Sequence, residues 1–193
     1  MSKTLGLIVT DASPLITLAA GEALECLTMP ELPVIIPDMV YFEVTQDLVK
    51  TGANDIVQWT RKHSGQVRIA ATNVFSEFQA LCAVNPRTRS KGRGEQAALE
   101  ILNSEIANDP DLQAALLFED SDILRRKFVR ALPEGVMTLS TGDLLFELEA
   151  AGFIPSMENI LDLVAGKGRI VDAQRKPSTD EESRMALHTH LQE

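Results

Sequence analysis

Near its N-terminus the chain reads LGLIVTDASPLI over residues 5–16. The apolar run at 5–9 is short and stops at a Thr-Asp pair, which is typical of a strand buried on both faces of a parallel sheet. Residues 14–27 then follow a helical pattern, for which Ser13 suits the N-cap and Pro14 the first turn. A buried strand that leads directly into a helix indicates a βα unit.

The same alternation continues along the chain. Strands are predicted at 34–36, 67–70, 114–118 and 136–139. Helices are predicted at 38–48, 54–62, 73–84, 94–106, 119–131, 144–151 and 157–164. This order predicts an α/β fold, a single domain whose parallel sheet is flanked by helices on both faces. We expect that domain to span 1–168 and the polar, weakly periodic residues 169–193 to form a C-terminal tail.

Composition limits the function classes. The net charge of −10 argues against a surface that coats phosphate generally, although carboxylates around a metal are neutralised in use. Basic residues cluster locally, at 87–93 and at 125–130. The two cysteines lack the spacing of a zinc site or a disulfide framework. No apolar run reaches the roughly 18–20 residues of a membrane span, so we expect a cytoplasmic protein with no membrane association.

Acidic residues follow two of the predicted strands. Asp11 comes directly after the first strand, and the acids Glu119, Asp120 and Asp122 come directly after the strand at 114–118. In parallel α/β sheets, ligands bind beyond the carboxyl ends of the strands. Each of these acids also suits a helix cap or a turn, and that structural role stays open for each one taken alone.

Two further acids lie on helices beside apolar residues. Glu43 lies at the edge of the stripe Val40, Val44, Leu48, and Glu95 heads a stripe of Ala98, Leu99, Leu102 and Ile106. A carboxylate in such a place needs a cation or a cleft, whereas an acid in a helix's first turn can simply complement the helix dipole. Several converging acids would repel one another without a hard cation. Oxygen ligands select Mg²⁺ or Mn²⁺, which support phosphoryl chemistry.

These motifs, taken in order, resemble those of the PIN-domain family. Residues 9–19 (VTDASPLITLA) are similar to the family's opening motif, in the branch that carries D-A-S-P-L-I. Pro37 followed by Glu43 resembles the second motif, and residues 92–98 (GRGEQAA) resemble its G-x-G-E-x-x-A segment. Residues 116–126 and 138–155 are similar to the last two strands and the segments that follow them. The resemblance covers about residues 5–165.

The resemblance implies a Mg²⁺- or Mn²⁺-dependent nuclease, in many relatives a VapC-like toxin neutralised by a small antitoxin protein. Its metal-site acids correspond to Asp11, Glu43, Glu95 and Asp120, with Glu119 or Asp122 as substitutes for the fourth because the family's acid pair is altered here. Ser13 and Thr141 are expected to orient water or phosphate.

We therefore predict an endoribonuclease that cleaves RNA, in one form the toxin of a toxin–antitoxin pair, and a homo-oligomer. The residues expected to contact the RNA backbone are Arg89, Lys91, Arg93 and Arg125. The alternative is a PIN-like fold that has lost catalysis and serves as a binding or scaffold protein.

Overall fold

A computed structural model describes residues 5–119, 132–176 and 180–192 of the chain. Its strands are β1 (Leu5–Thr10), β2 (Val34–Pro37), β3 (Val67–Ala70), β4 (Gln113–Leu117) and β5 (Val136–Leu139). Its α-helices are α1 (Ala12–Ala20), α2 (Asp38–Thr45), α3 (Ala53–Lys62), α4 (Asn73–Val84), α5 (Arg93–Asn108), α6 (Thr141–Ala150), α7 (Met157–Gly166) and α8 (Glu181–Leu191). Short 3₁₀ helices occupy Leu24–Leu27 and Asp172–Arg175.

The five strands form one sheet in the order β3-β2-β1-β4-β5, and every neighbouring pair is parallel. β1 is central, with β2 on one side and β4 on the other, so the strand order reverses beside it. Thr10 at the end of β1 is paired with Leu117 at the end of β4. Ligand sites in such sheets lie in the crevice outside this reversal.

Apolar layers cover both faces of the sheet, as the continuous apolar run of β1 predicts. Ile8 packs in a large cluster with side chains of α1 and α6. Its neighbour Val9 points the other way, into a cluster with Leu102 of α5. Successive side chains of a strand point to opposite faces, so both positions must be apolar when both faces are buried. The predicted α/β class and flanking helices are confirmed.

Several predicted helix boundaries are wrong, most clearly those of α1 and α2. The helix predicted at 14–27 begins at Ala12, with Asp11 rather than Ser13 at the N-cap, and ends before Gly21, where glycine favours termination. The helix predicted to extend through Leu48 ends at Thr45, and Leu48 is 57% exposed. Asp47 accepts a hydrogen bond from the Val49 amide, a local turn that competes with the helix.

The expectation of a loose tail at 169–193 is also corrected, because α8 packs against α6. Leu187 is fully buried. Nδ1 of His188 lies 2.9 Å from a carboxylate oxygen of Glu147, and Arg184 lies 3.7 Å from the other. The docking is largely polar, which is why hydrophobic periodicity did not reveal it. Among the described residues no helix is long and apolar enough to cross a membrane.

Candidate active site

Two acidic side chains meet at the N-terminus of α5. A Cβ placed on Gly94 would lie 3.1 Å from Oε2 of Glu43 and 3.4 Å from Oδ1 of Asp11. Asp11 follows β1 directly and its amide donates to the Leu117 carbonyl at the end of β4. The meeting point therefore lies at the carboxyl edge of the sheet, beside the reversal of strand order.

Glu43 is held in this position by α2. Pro37 ends β2 and caps the helix, and the buried Val40 and Val44 fix the helix against the core. Burial raises the pKa of the half-buried Glu43 carboxyl; the nearby Ser90 hydroxyl opposes this rise, and the negative charge of Glu95 adds to it. Glu43 is thus a carboxylate whose negative charge is disfavoured by burial and by the neighbouring Glu95.

Glu95 enters the same neighbourhood from the first turn of α5. Its side chain is half-buried, and the core-facing stripe that it heads is confirmed by the burial of Ala98 and Leu102. The structure thus brings Asp11 and Glu43 together at this helix terminus, with Glu95 close enough to Glu43 to affect its pKa. A cation would remove their mutual repulsion.

The donor set was tested against the divalent ion that the resemblance implies. Within residues 5–119, 132–176 and 180–192, no group of three His, Cys, Asp or Glu side chains could enclose a metal ion. Mg²⁺, however, is commonly held by one or two carboxylates and completes its shell with water and substrate phosphate. Asp11 and Glu43 fit that mode because both present oxygens to one point. Two of the candidates for the fourth acid, Asp120 and Asp122, lie outside the described residues.

Glu119, the remaining substitute, is engaged elsewhere. Its side chain is 8% exposed, and its two oxygens accept hydrogen bonds from Thr17 of α1, at 2.9 Å, and from Thr141 of α6. Arg169 lies 3.9 Å away. Burial raises the pKa of the Glu119 carboxyl, while the two hydroxyls and the guanidinium oppose the rise. This arrangement is a closed polar cluster, which we call the Glu119 cluster (Thr17, Glu119, Thr141, Arg169).

Thr141 therefore has a different contact from the expected one. It is fully buried and donates its hydroxyl to Glu119 rather than facing a water or phosphate. The predicted capping box of Ser140 and Asp143 is present at the start of α6. The Gly142 amide, which has no acceptor within the first turn of α6, donates to the side-chain oxygen of Gln174 at 2.8 Å. A side chain at Gly142 would overlap the Gln174 backbone, so only glycine permits this approach.

Arg93, a predicted backbone-contacting residue, begins α5 two residues before Glu95. Its guanidinium lies 5.5 Å from the centroid of the buried Phe78 ring, a cation–π contact. Arg89 and Lys91 are exposed in the preceding loop, whose Ser90 lies beside Glu43. Arg125 lies outside the described residues.

Some residues near the acids were not predicted from the sequence. Thr17 and Arg169 are 152 positions apart in the chain, and no sequence pattern links them, so only the fold reveals their contact. Ser13 is the second residue of α1 and is half-buried. Its expected role in orienting water stays a prediction.

Comparison with known proteins supports one family. The family model DUF3368, described as a PIN domain, matches residues 7–176, from β1 through the 3₁₀ helix that carries Gln174. A search of curated proteins returns no match. Helix α8 lies beyond the matched region.

Proposed function

Because this chain belongs to the PIN-domain family, whose members are generally nucleases, we propose that it is a metal-dependent endoribonuclease that hydrolyses RNA phosphodiester bonds. Asp11, Glu43 and Glu95 form the described part of its site, with Asp120 as the fourth acid. The ion is Mg²⁺ or Mn²⁺, since the donors are all oxygens.

One observation carries the proposal: the carboxylates of Asp11 and Glu43, from separate elements, meet beside the buried Gly94, with Glu95 near Glu43. Asp11 and Glu43 both lie within 3.4 Å of the same point, and Glu95 raises the pKa of Glu43. Gathering like charges in a half-buried place is unfavourable for stability alone. A bound cation explains the arrangement, and a scaffold has no use for it.

The residues divide the work between holding the ion and holding the substrate. Asp11 and Glu43 would bind the ion, and Glu95 would hold it or one of its waters. When bound, the ion activates water and stabilises charge on the phosphate. Arg93, two residues before Glu95 and in cation–π contact with Phe78, would contact a backbone phosphate, and the exposed Arg89 and Lys91 would extend that contact. Because the Glu43 pKa is raised, ion binding favours loss of its proton, so affinity should rise with pH.

The finer assignments extend the same proposal. The D-A-S-P-L-I segment at 11–16 supports a toxin whose activity a small antitoxin blocks, and we further propose a homo-oligomer. Co-expression with the product of a neighbouring gene, followed by measurement of cleavage and complex size, tests both. Unchanged cleavage and a monomeric mass would remove these assignments and leave the nuclease proposal intact.

A scaffold without catalysis is the second candidate. The net charge of −10 and the lack of a three-acid metal group among the described residues favour it. It predicts no dependence of any property on Mg²⁺ or Mn²⁺. The two candidates therefore separate on metal binding before any substrate is known.

The test is cleavage of a single-stranded RNA and of the DNA of the same sequence. We expect RNA cleavage with Mg²⁺ or Mn²⁺, its loss on chelation, and its recovery when excess ion is restored. Glu43→Gln should reduce the rate by about 100-fold or more, on the scale of losing a group that acts in the transition state. Glu149→Gln, an exposed glutamate of α6, is the matched control and should leave the rate unchanged. Cleavage that survives chelation refutes the proposal.

A further inference from the structure

We infer that Glu119 is a positioning residue: through Thr17, Thr141 and Arg169 it fixes α1, the helix that Asp11 caps, against the end of β4. As far as it concerns metal affinity, this inference rests on the proposed function. It gives this buried acid a role other than that of a ligand.

The direction of each hydrogen bond in the Glu119 cluster follows from which of its groups can only donate and which can accept. Arg169 can only donate, and its guanidinium lies 3.1 Å from the Thr17 hydroxyl oxygen. That hydroxyl must then turn its own proton toward Glu119, where the distance is 2.9 Å. Thr141 donates to the other carboxylate oxygen. Both oxygens are bound by donors on different elements, so the carboxylate joins α1, α6 and the segment after α7 to the end of β4.

The connection to Asp11 runs through these same elements. The Asp11 amide donates to the Leu117 carbonyl at 3.0 Å, and Glu119 is only two residues beyond Leu117. Thr17 lies on α1, the helix that begins immediately after Asp11. Helix α1 is therefore tied to the β4 end of the sheet twice, by the Asp11 backbone at its N-cap and by Glu119 at Thr17. Groups that hold a metal's ligands in place commonly change metal affinity by about 10–100-fold when they are removed.

Thr17→Val removes the hydroxyl and keeps the shape of a fully buried side chain. Thr60→Val is the matched control, because Thr60 is similarly buried but its hydroxyl bonds only to the Val57 carbonyl of its own helix. Thr17→Ser restores the hydroxyl and serves as the rescue. Three quantities are measured for each full-length variant: global stability in urea, exchange of the Asp11 amide by NMR, and Mn²⁺ affinity.

We expect Thr17→Val to speed exchange of the Asp11 amide by about tenfold beyond any change in global stability. It should also weaken Mn²⁺ binding by about tenfold. The KM for RNA should be unchanged while kcat falls. Thr17→Ser should restore all of these values, and Thr60→Val should alter only global stability.

Each failure has its own signature. If the exchange rate of the Asp11 amide is the same in Thr17→Val as in Thr60→Val, the positioning role is overturned, whatever the Mn²⁺ affinity of the variants. If exchange is faster but Mn²⁺ affinity matches that of the parent, the link from Glu119 to the metal is overturned. If the parent itself binds no Mn²⁺ while amide exchange responds as expected, the proposed function fails and Glu119 remains the residue that positions this junction.

Discussion

Replacing Gly94 with alanine tests the acid cluster without removing an acid. The new methyl group would lie 3.1 Å from Oε2 of Glu43 and 3.4 Å from Oδ1 of Asp11. The first distance is tighter than an ordinary contact, so the Glu43 carboxylate must move by a few tenths of an ångström. Because Glu43 is a flexible side chain at this end, the fold should accept the change. The relative position of the Glu43 and Asp11 carboxylate oxygens, however, should change.

The substitution should affect metal-free stability and metal-induced stabilisation in opposite directions. Alanine favours a helix over glycine by up to about 1 kcal/mol, so the metal-free variant should be as stable as the parent or slightly more stable. At an ion concentration of about 100 times Kd the parent gains about 2.7 kcal/mol from binding. A tenfold loss of affinity reduces that gain to about 1.4 kcal/mol. In a chain of this size the metal-induced rise in Tm should fall from about 8 °C to about 4 °C.

The assay is a thermal melt of each protein with and without Mn²⁺, followed by RNA cleavage at saturating ion. Gly166→Ala is the matched control, since Gly166 also lies within a helix and a Cβ there meets no atom within 4 Å. It should keep the full metal response. If Gly94→Ala shows the parent's metal-induced shift and the parent's cleavage rate, the meeting point of Asp11 and Glu43 is not the ion's place and the reasoning fails.

Three further predictions follow from neighbouring residues. Asp11→Asn should abolish cleavage yet leave the metal-free protein equally or slightly more stable, since relief of like-charge repulsion is worth on the order of 1 kcal/mol; melts with and without Mg²⁺ decide it, and retained cleavage would contradict it. Arg93→Ala should flatten the salt dependence of RNA binding by about one unit of slope, whereas Arg61→Ala, an exposed arginine of α3, should not; equal slopes would make Arg93 ordinary surface. The raised Glu43 pKa means that the metal-free folded state holds this proton more tightly than the unfolded state. The contribution of Glu43 to stability is thus complete below the ordinary glutamate pKa and is lost as pH rises through the raised value. Urea titrations across that pH range should therefore show a smaller loss of stability for Glu43→Gln than for the parent. Equal losses in the two proteins would contradict the raised pKa.

The elements that hydrophobic periodicity controls were predictable. β3, α4 and β5 have the predicted bounds, because a short apolar run or a helical stripe between polar turns leaves few alternatives. The proximity of Asp11, Glu43 and Glu95 followed from strand ends and from one acid at the head of a core-facing stripe. Local patterns sufficed because the site is built on regular elements.

The contacts that could not be predicted from the sequence are polar and join distant parts of the chain. Arg184 and His188 dock α8 through the buried Glu147, and the tie from Arg169 to Thr17 and Glu119 spans most of the chain. Such polar contacts have no period, and their partners are defined only once the sheet has assembled. A buried acid such as Glu119 looks the same in sequence whether it binds a metal or two threonine hydroxyls.

The close approach at Gly142 bears on how a mutational survey of this protein should be interpreted. Any side chain there would push the 3₁₀ turn that carries Gln174 away from the start of α6 and disturb the neighbouring Thr141, although Gly142 carries no chemistry. A survey scored by activity alone would rank Gly142 with the acids. A parallel survey scored by cellular abundance would separate them, because substitutions at Gly142 deplete the protein whereas Asp11→Asn leaves an abundant, inactive one.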